Sequence, residues 1–181
     1  RAGDAATRAG VRVGLLRRPP DLVEAHRLLA QVWGGEPDVG PDLLRAIGFA
    51  GGCVAGAHRD GTLVGVSVAL VGWHPDDPAP HLHSHVTGTA PEAQGGGIGF
   101  ALKQHQRAWA LAQGFGEVVW TFDPLLRRNA WFNLARLGAG APEYLVDFYG
   151  DMLDPVNAGQ GSDRLLVRWR LDSPAARAAA T

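Results

Sequence analysis

The feature that constrains this chain most is a glycine-rich run between two regular segments. Four of the five residues in the range 95–99 are glycine. They follow His81–Thr89, a predicted strand with polar residues on both faces, and precede a predicted helix of about 98–113. Glycine leaves the backbone open, and the first amides of a helix are unpaired and lie at the positive end of its dipole. The run therefore predicts a binding site for a phosphate-bearing cofactor, with a flexible turn as the alternative.

Two common phosphate-binding motifs do not fit these residues. A P-loop needs a Gly-Lys-Ser/Thr sequence, which the chain lacks. A dinucleotide-binding fold needs a third glycine where Leu102 stands. It also needs an acidic residue at the far end of the next strand, whereas Glu117 stands at the beginning of that strand. A dinucleotide site is therefore disfavoured.

Composition narrows the class of protein. A length of 181 residues with 46% hydrophobic residues fits one globular domain. The 17 basic and 18 acidic residues give a net charge of −1, so nucleic acid and acidic membranes are not expected as partners. No apolar run approaches the roughly 18–20 residues that span a bilayer. Cys53 is the single cysteine, which excludes an internal disulfide, and we expect a soluble protein of the cytoplasm.

The remaining patterns predict a mixed sheet covered by helices, in the order β-α-α-β-β-β-α-β-α-β-β. A tight turn at Asp60-Gly61 is the clearest local signal, because both residues tolerate positive φ. The residues 11–171 are expected to form a single domain, with disordered segments at 1–10 and 172–181. The strands are predicted at Val11–Leu16, Gly52–His58, Leu63–Trp73, His81–Thr89, Glu117–Phe122, Pro142–Tyr149 and Arg164–Leu171, and a late helix at Leu126–Leu137.

Several of these segments together resemble one known family. The motif Gln-x-x-Gly-x-Gly at 94–99, which opens a helix, resembles the signature of the GNAT superfamily of acyl-CoA-dependent N-acyltransferases. The order of elements matches that superfamily, and the Asn-Ala pair at 129–130 and the Leu-Gly pair at 137–138 are similar to its second half. The chain is most similar to a bacterial subgroup with His-Ser-His-Val-Thr-Gly, Trp-Thr-Phe-Asp-Pro and Asn-Ala-x-Phe-Asn motifs. The resemblance implies an α/β (α+β) fold with a seven-stranded, mostly antiparallel sheet and about four helices.

The resemblance also implies acetyl-CoA or another acyl-CoA as co-substrate. Its pyrophosphate would lie on the amides of the glycine run, and its pantetheine arm would pair with the strand backbone as a further strand would. An amide near Thr89 would stabilise the oxyanion that forms on the thioester oxygen. The residues expected to hold the cofactor are Thr87, Thr89, Gln94, Gly95, Gly96, Gly97, Ile98, Gly99, Asn129 and Phe132.

Three histidines alternate along the strand before the glycine run, so His81, His83 and His85 are expected to share one face. His83 stands where family members that acetylate histone tails have a glutamate as general base. A neutral imidazole, with an ordinary pKa of about 6.5, can accept a proton from an amine near neutral pH. His83 and His85 are therefore candidate catalytic residues, with polar residues lining the sheet as the alternative. A divalent metal completed by Asp151 or Asp154 is a further alternative, and we expect no metal.

The sequence also contains candidates for the general acid and for the residues that contact the acceptor. Family members often place a tyrosine four residues before the helix-ending Leu-Gly pair, where this chain has Leu134. Tyr149 is the candidate substitute, with water as the alternative. Trp120 is expected to contact the acceptor, and a place in the hydrophobic core is the alternative. The residues expected to contact the acceptor are His81, Trp120, Asn133 and Arg164.

Together these inferences predict an N-acyltransferase that acts by direct attack in a ternary complex. Some relatives in the subgroup succinylate amino acids, so an acetyl or succinyl group and a small-molecule amine acceptor, such as an amino acid, are expected. A non-catalytic acyl-CoA-binding module and, with less support, a histidine-ligated metal enzyme are the alternatives. No nucleic-acid or membrane partner is expected, whereas two copies could pair through exposed sheet edges.

Overall fold

A computed structural model describes residues 2–35, 37, 39–74, 77–150 and 161–180. The strands are β1 (Arg12–Leu15), β2 (Cys53–Arg59), β3 (Thr62–His74), β4 (Asp77–Thr89), β5 (Glu117–Phe122), β6 (Gly140–Leu145) and β7 (Arg164–Arg170). The α-helices are α1 (Ala2–Arg8), α2 (Pro19–Trp33), α3 (Pro41–Phe49), α4 (Ile98–Ala112), α5 (Arg127–Ala130) and α6 (Pro174–Ala179). A 3₁₀ turn covers Pro91–Ala93, and a π-helical segment covers Trp131–Arg136.

The seven strands form one sheet in the order β1-β2-β3-β4-β5-β7-β6. Neighbouring strands run antiparallel except for β4 and β5, which run parallel. The predicted mixed, mostly antiparallel sheet of seven strands is therefore confirmed. The predicted hairpin is confirmed as well, because Arg59 pairs with Thr62 across a two-residue turn in which Asp60 and Gly61 have φ values of 50° and 83°.

The two faces of the sheet carry different helices. A Cβ added to Gly65 would lie 2.9 Å from Ile98 of α4, whereas one added to Gly88 would lie 2.8 Å from Trp33 of α2. Gly65 pairs with Thr89, so the neighbours Gly88 and Thr89 point to opposite sides of β4. We refer to these sides as the α4 face and the α2 face.

The sheet separates between β4 and β5. In the described part of the chain, these two strands are joined by the pairs Leu82–Val118 and His83–Val119. Beyond His83, β4 continues to Thr89 and pairs with β3 on its other side. The result is a cleft that closes at His83 and Val119 and opens toward the glycine run, with one edge of β4 unpaired along it.

Both ends of the domain were expected to be disordered, and the structure contradicts this for the residues it describes. Helix α1 buries Ala5, which is 3% exposed, and packs against α4, and Ala9 just after the helix is 7% exposed. Helix α6 buries Ala176 and is capped by Ser173, whose hydroxyl accepts a hydrogen bond from the Ala176 amide. These faces consist of alanine, so no pattern of large apolar residues marks them in the sequence. They raise the number of α-helices in the described residues to six, against about four predicted.

Three other boundaries differ from the predictions. Strand β4 begins at Asp77 rather than at His81, because the β3–β4 hairpin extends to the pair His74–Asp77. Strand β6 ends at Leu145 rather than at Tyr149. The late helix is α-helical only at its start and continues as the π-helical segment. Asp151 and Asp154, the suggested additional metal ligands, lie outside the described residues.

Candidate functional site

The glycine run forms an open bend at the start of α4. Gly95 and Gly97 have φ values of +82° and +77°, a backbone conformation that other residues rarely adopt. Gly97 is the N-cap of the helix, and no side chain caps it. The first helical hydrogen bond runs from the Ala101 amide to the Gly97 carbonyl. The amides of residues 95–100 therefore remain available to a ligand, at the positive end of the helix dipole.

Space is available where a ligand would meet these amides. Cβ atoms added to Gly95 or Gly99 would meet no atom within 4 Å, and one on Gly97 would meet only the Ala9 methyl group at 3.8 Å. The bend is therefore not filled by neighbouring side chains. Gln94, just before it, is exposed. An anion that approaches the bend can reach several backbone N–H groups without displacing protein atoms.

The fold brings Arg59 to this bend, which the sequence reasoning missed. Its Nη2 atom lies 3.5 Å from the position of a Cβ on Gly96 and donates a hydrogen bond to the Ala9 carbonyl at 3.1 Å. Arg59 ends β2, and only the tertiary structure places that strand end beside the start of α4. The glycine run itself contains no basic residue. Arg59 thus supplies a guanidinium where phosphate oxygens would need one.

The unpaired edge of β4 contains a β-bulge at His85. Val68 pairs with Val86 and Ala69 pairs with Ser84, so His85 is the extra residue on β4. Thr87 and Thr89, beyond the bulge, are half-buried. Because no strand of the described residues pairs with β4 on its cleft side here, its backbone can pair with an extended ligand such as a pantetheine arm. The open amides, Arg59 and this edge together fit an acyl-CoA.

The histidines lie beside the closed end of the cleft. Ser84 contacts Lys103 of α4, so the preceding His83 points to the α2 face. The rings of His83 and His85 are 6.4 Å apart. Burial, with smaller contributions in the same direction from nearby His85, His81 and Lys103, lowers the pKa of His83 to about 4. The imidazole of His83 is therefore neutral at physiological pH and has an unprotonated nitrogen.

No group of three or more metal-ligating side chains occurs among the residues that the structure describes. His81 lies close to Gly72, its partner across the β3–β4 ladder.

Tyr149 lies on the same face as His83. Its hydroxyl is 3.0 Å from Thr121 Oγ1. Val119 is the ladder partner of His83, and Thr121 is two residues further along β5, so the three side chains share a face. Arg164 also lies here, with its guanidinium 5.2 Å from the centroid of the Tyr149 ring, although its own side chain is only 6% exposed.

Two residues expected to contact the acceptor are buried, and Trp120 does not lie on that face. Trp120 is 7% exposed, and its ring packs edge-on against Trp169 at 6.1 Å. It precedes Thr121 on β5, so it points to the α4 face and belongs to the core there. Asn133 is 4% exposed within the π-helical segment. Asn129 and Phe132, expected to hold the cofactor, are half-buried on α5 and at the start of the π-helical segment.

Known proteins resemble this chain in sequence pattern and in fold. The model of the family described as "Acetyltransferase (GNAT) family" matches residues 22–138. The ribosomal-protein-S18-alanine N-acetyltransferase from Escherichia coli matches with a TM-score of 0.69 and 12% identity, over 90% of this chain and 95% of that chain. Arabidopsis thaliana Naa50, in complex with the bisubstrate analogue CoA-Ac-MVNAL, matches with a TM-score of 0.67 and 16% identity, over 88% and 97% of the two chains. A GNAT-family acetyltransferase from Streptococcus pneumoniae matches at 0.68 and 13%, over 87% and 98%.

The solved structures share the overall fold of this chain. The family match covers more than half of the chain, from residue 22 to residue 138. This protein belongs to the GNAT acetyltransferase family, whose members are acyl-CoA-dependent N-acetyltransferases. A comparison with curated proteins found no match. Among the described residues, no helix has the length and apolar character needed to cross a membrane.

Proposed function

We propose that this protein transfers an acyl group from acyl-CoA to the amine of a small molecule, within a ternary complex. The observation that carries the proposal is the open amide bend at the head of α4, which lies beside Arg59 and leads to the unpaired edge of β4. This arrangement suits a pyrophosphate joined to an extended arm, which is the shape of coenzyme A.

The chain's own residues would bind the co-substrate in two places. The amides of residues 95–99 and the Arg59 guanidinium would bind the pyrophosphate oxygens through charge-assisted hydrogen bonds. The backbone around Thr87 and Thr89 would pair with the pantetheine arm, and an amide of this edge would donate to the thioester oxygen. Gln94, Ile98, Asn129 and Phe132 are proposed as further contacts of the co-substrate.

The acceptor would react on the α2 face. His83, directly or through a water molecule, accepts the proton that leaves the attacking nitrogen, and His85 lies beside it. The new C–N bond forms as the C–S bond breaks, and the electron pair of that bond stays on sulfur. Tyr149, whose hydroxyl is held by Thr121, is the proposed donor of the proton that the thiolate takes up.

For the acceptor and the acyl group, we propose the chemical class. A small amine such as an amino acid is the proposed acceptor, with His81 and the buried Arg164 as its contacts. An acetyl or a succinyl group is proposed. A protein N-terminus is the competing acceptor, since two structural neighbours are named for acetylating alanines of ribosomal proteins. We also propose a cytoplasmic location, and pairing of two copies through a sheet edge stays a prediction that light scattering can check.

Calorimetry with CoA and matched glycine variants tests the co-substrate site. Gly99→Leu places a side chain in open space at the bend, and Gly48→Leu does the same on α3, away from it. Both glycines are helical without positive φ, so both variants should fold. We expect Gly99→Leu to lose CoA binding and Gly48→Leu to keep it. Equal binding by both variants, or no heat with the natural protein, would contradict the proposed site.

Release of free CoA tests catalysis. The natural protein is incubated with acetyl-CoA or succinyl-CoA and a panel of amino acids, or with peptides that begin with alanine, and the free thiol is measured. Acceptor-dependent release in the first set supports the small-molecule proposal, and release only with peptides would replace it with the competing acceptor. Binding without release would favour the non-catalytic module, for which Leu134 in place of the helix tyrosine is the supporting observation.

A further inference from the structure

A buried cluster of polar side chains lies on the α4 face beneath the cleft, and the mechanism above does not use it. At its centre is Lys103, which is the only lysine of the chain and is 5% exposed. Its ammonium lies 3.8 Å above the centroid of the Trp120 ring. Among the residues that the structure describes, Lys103 forms no ion pair with a carboxylate. Within the described part of the chain, the buried amine therefore has no counter-ion.

Lys103 lies at the closed end of the cleft. Its Nζ atom donates to Ser84 Oγ at 2.7 Å. Ser84 and Trp120 are the residues that immediately follow His83 and Val119, the last pair that joins β4 to β5. Lys103 therefore contacts both strands just where they separate. A change in this side chain would alter the spacing of the strands at that point.

A second arm of the cluster reaches past the β-bulge. Lys103 Nζ donates to Gln106 Oε1 at 3.3 Å, and Gln106 Nε2 donates to Ser67 Oγ at 3.2 Å. The hydroxyls of Ser67 and Thr87 are 3.2 Å apart. Lys103 is thus connected to Ser84 on one side of His85 and to Thr87 on the other.

Burying such a cluster destabilises the fold. A buried amine without a carboxylate partner loses its hydration, and burial lowers the pKa of Lys103 to about 7. Methionine has a similar length and would fill the same space without an ionisable group. A role in stability therefore does not account for a lysine here, whereas control of the β4 edge does.

We propose that Lys103 is a positioning residue for acyl transfer, which acts through Ser84 and Thr87 to hold the unpaired edge of β4 where the thioester must bind. This inference rests on the proposed function, in which an amide of that edge donates to the thioester oxygen. Lys103 does not touch the reacting atoms in this proposal. It fixes the strand whose backbone touches them.

The variants Lys103→Met and Ser67→Ala test whether the cluster affects the chemical step or the binding of CoA. Turnover of acyl-CoA is measured at saturation, and the Kd for CoA is measured by calorimetry. A displacement of about 1 Å can reduce a rate by about 100-fold, so Lys103→Met should lower kcat by roughly 10- to 100-fold. The Kd for CoA should rise by a smaller factor than kcat falls, because the pyrophosphate contacts at residues 95–99 lie at the far end of the edge and only the pantetheine contacts near Thr87 are affected. Ser67→Ala breaks only the Thr87 arm, so it should lower kcat by a smaller factor.

Gln104→Met is the matched control on the same helix. Gln104 is 2% exposed, and its Nε2 atom has no hydrogen-bond partner, so it is a buried polar neighbour outside the cluster. We expect its kcat and Kd to equal those of the natural protein. An unchanged kcat in folded Lys103→Met, or a parallel loss of kcat, CoA binding and thermal stability, would overturn the proposal. If Lys103→Met does not fold, an unchanged kcat in Ser67→Ala overturns it. Failure of the proposed function would differ, because the natural protein would then release no CoA.

Discussion

Replacing the buried Lys103 by methionine should change how the stability of this protein depends on pH. Burial lowers the pKa of Lys103 from an ordinary value of 10.5 to about 7. Between these two values the unfolded chain carries a proton on this amine that the folded chain does not carry. Below about pH 7, burial of the charged amine therefore lowers the free energy of unfolding of the natural protein by its full amount. This destabilisation decreases as the pH rises toward 10.5. Lys103→Met has no such penalty at any pH.

The size of the effect follows from proton linkage. One extra proton bound by the unfolded chain gives a slope of about 1.4 kcal/mol per pH unit in the free energy of unfolding. Because about half of the folded molecules still carry this proton at pH 7, Lys103 alone should raise the free energy of unfolding of the natural protein by roughly 2 kcal/mol between pH 7 and pH 9. Cys53 acts in the opposite direction at higher pH, because burial raises its pKa from 9.0 to about 12. Both proteins contain Cys53, so its contribution cancels in the difference between them.

Urea denaturation at several pH values between 7 and 9 measures this difference directly. We expect Lys103→Met to be the more stable protein at pH 7 and its advantage to shrink by roughly 2 kcal/mol by pH 9. Gln104→Met, which removes a buried polar group that does not titrate, should run parallel to the natural protein. Parallel curves for Lys103→Met would refute the reasoning, since they would mean that Lys103 keeps the same proton in both states. A variant that is more stable and less active would also agree with the positioning role proposed above.

Three further predictions concern the reacting side chains and one glycine. Since the pKa of His83 is lowered to about 4, the pH profile of kcat/KM should show no inflection from His83 near 6.5, and an inflection there that His83→Ala removes would contradict this. Tyr149→Phe should lower kcat by about 100-fold with little change in the KM for acyl-CoA, measured by steady-state thiol release; an unchanged kcat would favour water as the acid. Gly138→Ala should destabilise the fold in urea by more than Gly114→Ala does. Both glycines have positive φ, which costs about 1–2 kcal/mol, but only the Gly138 Cβ would lie 2.8 Å from the backbone of Ala175.

Local conformational requirements explain what could be predicted from the sequence alone. The positive φ values at Gly95 and Gly97 and at the Asp60-Gly61 turn are favoured by the residues themselves, without help from distant parts of the chain. The order of strands and helices follows from side-chain periodicity in the same local way. The glycine bend, the hairpin and the seven-stranded sheet were therefore predictable from these patterns, whereas α1 and α6 were not, because alanine stripes carry a weak hydrophobic signal.

The composition of the candidate site depends on contacts between distant segments. Arg59 reaches the glycine bend from another strand, and nothing near it in the sequence marks that contact. The β-bulge at His85 places Ser84 and Thr87, which are three positions apart, on the same face, against the alternation that a regular strand predicts. Trp120 entered the core because the pairing of β4 with β5 decides which face each residue takes. Sequence thus determined the elements and the bend, whereas tertiary packing decided which side chains meet there, because strand register and helix docking depend on the whole sheet.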